Sequence, residues 1–295
     1  MTFKTKTINI SPNIILISGE ESRKFLQAII SADIETLKVG TSQTSLLLNP
    51  AGKTIYAFYV YSLNSDEFLL ISEPNRVVSL KDSLARFLIR TKATIEDVTD
   101  KYSAKIADQT LEDSIIIDEN LFGQIGLMLS LSPKNQNVEV SDEHHYTNLR
   151  ISNGAVSVFK DLGDNSIAQE AGLEEKSVSF NKGCFLGQEL VCRIDSRSAS
   201  TPFTYFALCV DKKELEGLEV FSGNQAIGSV TSSLLSDVDM GDFEKYMGRY
   251  TAIGRFTRKG SELLKQSKDN VYVLDPSGEK VPVVQIDKVN GNFRV

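Results

Sequence analysis

Tryptophan is absent from this chain, histidine occurs twice, cysteine three times, and no apolar run nears the 18 or so residues of a membrane span. The two histidines, His144 and His145, sit side by side in S-D-E-H-H-Y-T-N, which reads as an exposed polar loop. A nucleophile–histidine–acid triad would have to use one of them, and no G-x-S-x-G elbow accompanies them. H-E-x-x-H and C-x-x-C are missing, which argues against a dedicated zinc site. Neither a phosphate loop nor a G-x-G-x-x-G fingerprint occurs. Cys184, Cys192 and Cys209 are too few and too unevenly spaced for a secreted disulfide framework. The first residues lack an apolar h-region and a small-residue cleavage site, so the expectation is a soluble, cytoplasmic protein with no membrane partner. Basic charge is also short: the net charge of −7 disfavours a general affinity for nucleic acid. The run Arg249, Arg255, Arg258, Lys259 reads as a solvated face.

What is present is ordinary globular material, 41% apolar and 24% charged over 295 residues. That length suits about two domains. N-I-I-L-I-S (13–18) is a strand ending at Gly19, and E-E-S-R-K-F-L-Q-A-I-I follows as a helix with Phe25, Leu26, Ile29 and Ile30 at helical spacing. Its leading acids stand where the helix dipole favours them. L-L-L-N-P-A-G-K-T-I-Y-A-F-Y-V-Y-S reads as a hairpin turning at Asn49–Gly52, its second strand apolar on both faces and therefore covered on both. D-E-F-L-L-I-S-E supplies a third strand. Pro74 is expected to open a helix whose stripe is Val77, Leu80, Leu84, Phe87 and Leu88. A-T-I-E-D-V and S-A-K-I-A are strand-like, and residues 123–148 give no assignment. After Pro202 short β-rich runs at regular spacing predict a small barrel or sandwich. The expected division is 1–202, an α+β region, and 203–295, a β-barrel domain.

Between them lies F-N-K-G-C-F-L-G-Q-E-L-V-C-R (180–193), holding two of the three cysteines. K-S-V-S-F before the cysteine reads as a strand, and Phe185–Ile194 as a short helix. In such a helix Phe185, Glu189 and Arg193 share one face and Cys184, Gln188 and Cys192 another, with Glu189–Arg193 a favourable i,i+4 pair. Gly183 and Gly187 permit tight backbone approach. A cysteine at a helix N-terminus beside Lys182 would gain thiolate character and act as nucleophile, redox centre or transient ligand; a small buried hydrophobe is the alternative.

K-G-C-F-L-G-Q-E followed by Arg193 resembles the K-G-C-[FY]-x-G-Q-E motif of the YgfZ family, folate-binding proteins related to the aminomethyltransferase (T-protein) of glycine cleavage. Weaker likenesses run in the family's order: I-S-G-E-E-S-R-K-F-L-Q, L-N-P-A-G-K, L-A-R-F-L-I-R, L-R-I-S-N-G, I-A-Q-E-A-G-L and G-S-V-T-S-S. The resemblance implies an α+β fold, a three-subdomain ring of the aminomethyltransferase folate-binding type with a C-terminal β-barrel. It implies tetrahydrofolate or a one-carbon derivative as cofactor, and iron–sulfur proteins or assembly factors as partners. The implied role is accessory to cluster assembly or repair, indirectly supporting tRNA modification. Cys184 is then the reactive group, and Lys182, Gln188, Glu189 and Arg193 are implied to bind the folate. Tyr146 would stack on a pterin, or be an ordinary tyrosine; Arg150 would bind a ligand carboxylate, or form an internal ion pair. Two alternatives stand. One is a folate-dependent aminomethyltransferase or demethylating enzyme, although Tyr56 and Ala57 fall where such transferases carry acids. The other is a non-catalytic folate-binding scaffold. Whether the chain turns over a substrate stays open.

Overall fold

The computed structural model describes residues 7–74, 79–134, 142–163, 165–197, 200–266, 270–293 and 295. The chain forms two compact units, each built from separate stretches: 1–143 with 176–190 and 295, and 144–175 with 191–294.

The first unit holds two antiparallel sheets. In chain order its elements are β1 (Thr7–Ile10), β2 (Asn13–Ser18), α1 (Ser22–Ile29), β3 (Ser42–Leu48), β4 (Thr54–Ser62), β5 (Glu67–Ser72), α2 (Leu80–Ala85), β6 (Thr94–Asp97), β7 (Tyr102–Ala107), β8 (Ile115–Asp118) and β9 (Met128–Pro133). The larger sheet runs β3-β4-β5-β2-β6 and the smaller β1-β7-β9-β8. The expected hairpin is β3–β4, with Leu46 opposite Ala57 and Leu47 opposite Tyr56. β4 is buried along nearly its whole length, as its two apolar faces require. Tyr56, Phe58 and Val60 join Ile15, Ile17, Phe68 and Leu70 in one core, closed by Phe25 and Leu26 of α1 and Leu80 and Leu84 of α2.

One helix expectation needs correction. α2 does not open at Pro74: Ser79 caps it, its hydroxyl accepting the Asp82 amide at 3.0 Å while donating to the Asp82 carboxylate at 2.7 Å. Val77 lies outside the described residues; Phe87 and Leu88 follow the helix end but still pack on the core. The acids expected at the start of α1 do stand there: Glu21 is its N-cap residue, and its side chain bonds to another segment instead of to the helix amides. Glu20 pairs with Lys92, and Glu21 accepts the Lys92 amide at 2.7 Å.

The second unit is organised by α3 (Glu143–Ser152) and a closed antiparallel barrel. Both histidines stand on the first turn of α3 rather than in a loop, and His145 Nε2 is hydrogen-bonded to the Asp239 carbonyl at 3.0 Å. Two further helices, α4 (Glu174–Ser177) and α5 (Gln188–Arg197), carry the chain across the unit boundaries. The barrel strands are β10 (Phe203–Val210), β11 (Glu219–Ser222), β12 (Gln225–Ser233), β13 (Ala252–Thr257), β14 (Val271–Leu274) and β15 (Lys280–Lys288). They close in the order β10-β13-β12-β11-β14-β15. Strands of this barrel therefore occupy the expected β-rich stretch after Pro202. A helix unforeseen in that stretch, α6 (Arg258–Gln266), adds Leu264 to the barrel core. It lies so close to β12 that a Cβ on Gly260 would stand 2.2 Å from the Ile227 carbonyl oxygen. Among the described residues no helix is long and apolar enough to cross a membrane.

Candidate functional site

K-S-V-S-F is not a strand. Lys176 and Ser177 end α4, and the following residues dock on the β3 side of the first unit through single bonds rather than a ladder. Ser31 Oγ donates to the Ser177 carbonyl at 2.5 Å, the Ser179 amide to the Ser31 carbonyl at 2.9 Å, and Thr44 Oγ1 to the Lys176 carbonyl at 2.8 Å. Two of these three bonds come from hydroxyl side chains and only one from backbone pairing, in place of the ladder that the alternation suggested.

The helix after the cysteine also starts later than its sequence pattern implies. α5 begins at Gln188, so Cys184 and Phe185 precede it and share no helical face with Glu189 or Cys192. Cys184 instead lies on a loop and is exposed. Its neighbours are held. Lys182 Nζ donates to the carbonyls of Ile30 at 2.8 Å and Ala32 at 2.7 Å. The Phe185 ring is buried, its amide donates to Gln188 Oε1 at 3.1 Å, and the Leu186 amide donates to the Ala28 carbonyl at 3.2 Å. Gln188 thus closes the loop that leads into its own helix. Glu189 and Arg193 are exposed.

Burial lowers the Lys182 ammonium to about 8, against the opposing pull of Asp33 and Glu35. Its folded-state affinity for a proton is below that of the unfolded chain, so unfolding takes up protons between about pH 8 and 10.5. Stability is expected to rise with pH across that window. Acetylation of Lys182, followed site by site by mass spectrometry, is expected to show a midpoint near 8; a midpoint at the ordinary lysine value of 10.5 would mean the ammonium is fully solvated.

Two residues named for the ligand are committed elsewhere. Arg150 is fully buried, and Nη1 donates to Asp161 Oδ2 at 2.9 Å and the Ala155 carbonyl at 2.7 Å, while Nη2 donates to Ser232 Oγ at 3.0 Å. Of its two readings the internal ion pair holds. Asp161 accepts in addition from the Ser157 amide at 2.7 Å, and from Thr231 Oγ1 and Ser232 Oγ at 2.6 Å each. The G-S-V-T-S-S stretch therefore fastens β12 to this buried pair, a role its residue pattern did not disclose. Tyr146 has no exposed surface, so neither ring face is open to a pterin.

The second unit has a cavity of about 590 Å³ that the sequence did not foreshadow. Gln169, Glu174 and Phe206 line it together with Arg258, Lys265 and Lys288. Gln169 Nε2 donates to the Val191 carbonyl at 3.0 Å, which sets the amide's orientation. The other ends, Gln169 Oε1 and Glu174 Oε2, are buried without a hydrogen-bond partner among the described residues. Burial pushes the Glu174 carboxyl up, with Lys288 opposing. The only signals in the sequence were Gln169 within I-A-Q-E-A-G-L and the scattered bases.

Mixed α+β sheets followed by a closed six-stranded barrel define an aminomethyltransferase-type fold. The glycine cleavage aminomethyltransferase T of Bartonella henselae superposes with a TM-score of 0.71 over 93% of this chain and 83% of its own, at 16% identity. Residues 12–106 match the GCVT N-terminal domain family. An uncharacterized protein of Haemophilus influenzae is 23% identical over 77% of this chain and 82% of its own length. A Mycosarcoma maydis protein, named as a mitochondrial iron-sulfur cluster assembly factor IBA57 homolog, is 25% identical over 61% of this chain; the match spans 51% of that relative. The aminomethyltransferase-type fold with a C-terminal barrel that the resemblance implied is the one observed, and both kinds of relative it named are among the matches.

Proposed function

We propose that this chain is a tetrahydrofolate-binding accessory protein for iron–sulfur cluster assembly or repair, with Cys184 as its working thiol and tRNA modification among the processes it indirectly supports. The observation that carries this reading is an exposed cysteine on a loop anchored by two part-buried hydrogen bonds from Lys182. Cluster-assembly relatives support the context. Common protein-bound clusters take about four protein ligands, usually thiolates. The whole chain has three cysteines, and no group of three potential metal ligands lies together among the described residues. Cys184 therefore acts on a cluster whose other ligands come from a client or assembly factor. The aminomethyltransferase alternative has no acid at the Tyr56–Ala57 positions, which are buried, uncharged parts of β4, and would have to draw one from elsewhere, such as Glu170 or Glu189.

Arg150 and Tyr146 are fully buried, so the folate set named from the sequence loses two of its members. The chemistry of the cavity in the second unit fits. Gln169 and Glu174 offer acceptors to the N–H groups of a reduced pterin, Phe206 an apolar ring, and Arg258, Lys265 and Lys288 cations to the glutamate carboxylates. Its volume lies in the usual range for small-molecule sites, roughly 300–1,000 Å³. Bound there, tetrahydrofolate would supply one-carbon or reducing chemistry. Anaerobic calorimetry with tetrahydrofolate is expected to give saturable one-site binding, weakened about tenfold or more by Lys288→Ala and by Glu174→Gln. Absence of binding by folded protein would remove folate from the proposal. Undiminished binding by both variants would remove this cavity.

A further inference from the structure

The cysteine loop is also held by a contact that the motif does not contain. We propose, resting on the thiol role given above, that the turn of the first hairpin positions Cys184 by interlocking Gly52 with Gly187.

Gly52 closes the Asn49–Gly52 turn at φ +76°, and Gly187 ends the cysteine loop at φ +75°. Each glycine occupies space that the other segment needs. A Cβ on Gly52 would stand 2.5 Å from Leu190 Cβ and 3.0 Å from the Gly187 carbonyl oxygen. A Cβ on Gly187 would stand 2.4 Å from the Asn49 carbonyl oxygen and 2.8 Å from Leu48 Cβ. The approach is largely backbone to backbone, where no rotamer change can relieve a clash. The turn itself is held by its own bonds: the Gly52 amide donates to the Asn49 carbonyl at 2.8 Å, and the Lys53 amide to Asn49 Oδ1 at 3.0 Å. A rigid turn therefore backs one end of the loop.

The other end is Lys182, fixed on two carbonyls of the segment after α1. Phe185 and Leu186 are held between these anchors. Only Gly183 and Cys184 are left over. Both are exposed, and a Cβ on Gly183 would meet nothing within 4 Å. The thiol thus rides on a short bridge between two fixed supports, open to a macromolecular client yet restricted in where it can move. Gly52 and Lys182 are positioning residues in this arrangement, neither needing to touch what Cys184 reacts with.

Gly40 provides the control. It too has positive φ, +77°, but a Cβ there would meet nothing within 4 Å. Asparagine tolerates the left-handed region, so it satisfies the turn conformation at either site and clashes only at Gly52. Hydrogen exchange of the full chain, read by mass spectrometry, is expected to quicken about tenfold or more in peptides covering 182–190 for Gly52→Asn. Peptides of β4 and β5 should keep their protection, and Gly40→Asn should leave 182–190 unchanged. The alkylation rate of Cys184 by iodoacetamide, mapped in the same samples, should change with Gly52→Asn alone. Folded Gly52→Asn with unaltered exchange over 182–190 would overturn the lock. Should Gly52→Asn fail to fold, Asn49→Ala serves, because it removes the Asn49 Oδ1 bond that holds the turn: faster exchange over 182–190 is expected, and no change would overturn the proposal. Neither readout involves folate or a cluster. A functional Cys184→Ser protein would end the thiol role while leaving the exchange result standing.

Discussion

Arg150→Met is expected to cost about 3–5 kcal/mol of stability, the usual effect of removing one partner from a buried ion pair. The guanidinium has no exposed surface, and Asp161 is equally enclosed. Methionine fills much of the volume but leaves a carboxylate whose charge is then opposed only by neutral donors from Ser157, Thr231 and Ser232. Asp161→Asn alone should also destabilise, by stranding the guanidinium. The double variant should recover part of the loss, because neither charge is left behind; the coupling between the two sites is the informative quantity. Denaturant midpoints of the four proteins measure it. An Arg150→Met protein as stable as wild type would mean that the pair contributes shape and no electrostatic support.

Cys184→Ser should behave in the opposite way, with stability within about 0.5 kcal/mol of wild type and function lost. The side chain is exposed on its loop, and serine nearly preserves its size. What serine cannot do is ligate iron or exchange sulfur as a thiolate does. The activity of an iron–sulfur enzyme in cells dependent on this protein is the appropriate measure, and it should fall to the level of cells lacking the protein. Cys209→Ser, in barrel strand β10, should retain activity. Full activity of Cys184→Ser would exclude thiol chemistry and favour the scaffold alternative.

Elements whose burial follows their own periodicity were legible in the sequence. β2, the β3–β4 hairpin with its Asn49–Gly52 turn, and the barrel strands all lie where alternation or short apolar runs put them. Segments governed by distant partners were not. K-S-V-S-F alternates like a strand, but Ser31 and Thr44 capture its backbone. β1 is only four residues long and pairs with β7, far along the chain, so local pattern carried little information about it. The site divided in the same way. Residue types located Cys184 and its glycines, and the resemblance named a function for them. Arg150 showed the limit: its sequence context admits ligand binding and ion pairing equally, and only the burial of Asp161 beside it decides. The Gly52–Gly187 contact joins two positive-φ glycines from distant segments, and no one-dimensional pattern announces such a meeting.

The interleaving of the two units bears on how the chain is made. The first unit needs residues 176–190 as well as 1–143, and the second needs 144–175 as well as 191–294. As the chain leaves the ribosome, the early sheets therefore lack the cysteine segment until residue 190 has emerged. At that point 144–175 is already present but still waits for its barrel. Neither body can be cut out as a contiguous fragment, and a break anywhere between 143 and 191 deprives at least one of them of a part. The cysteine loop is thus completed late, after the turn that receives it.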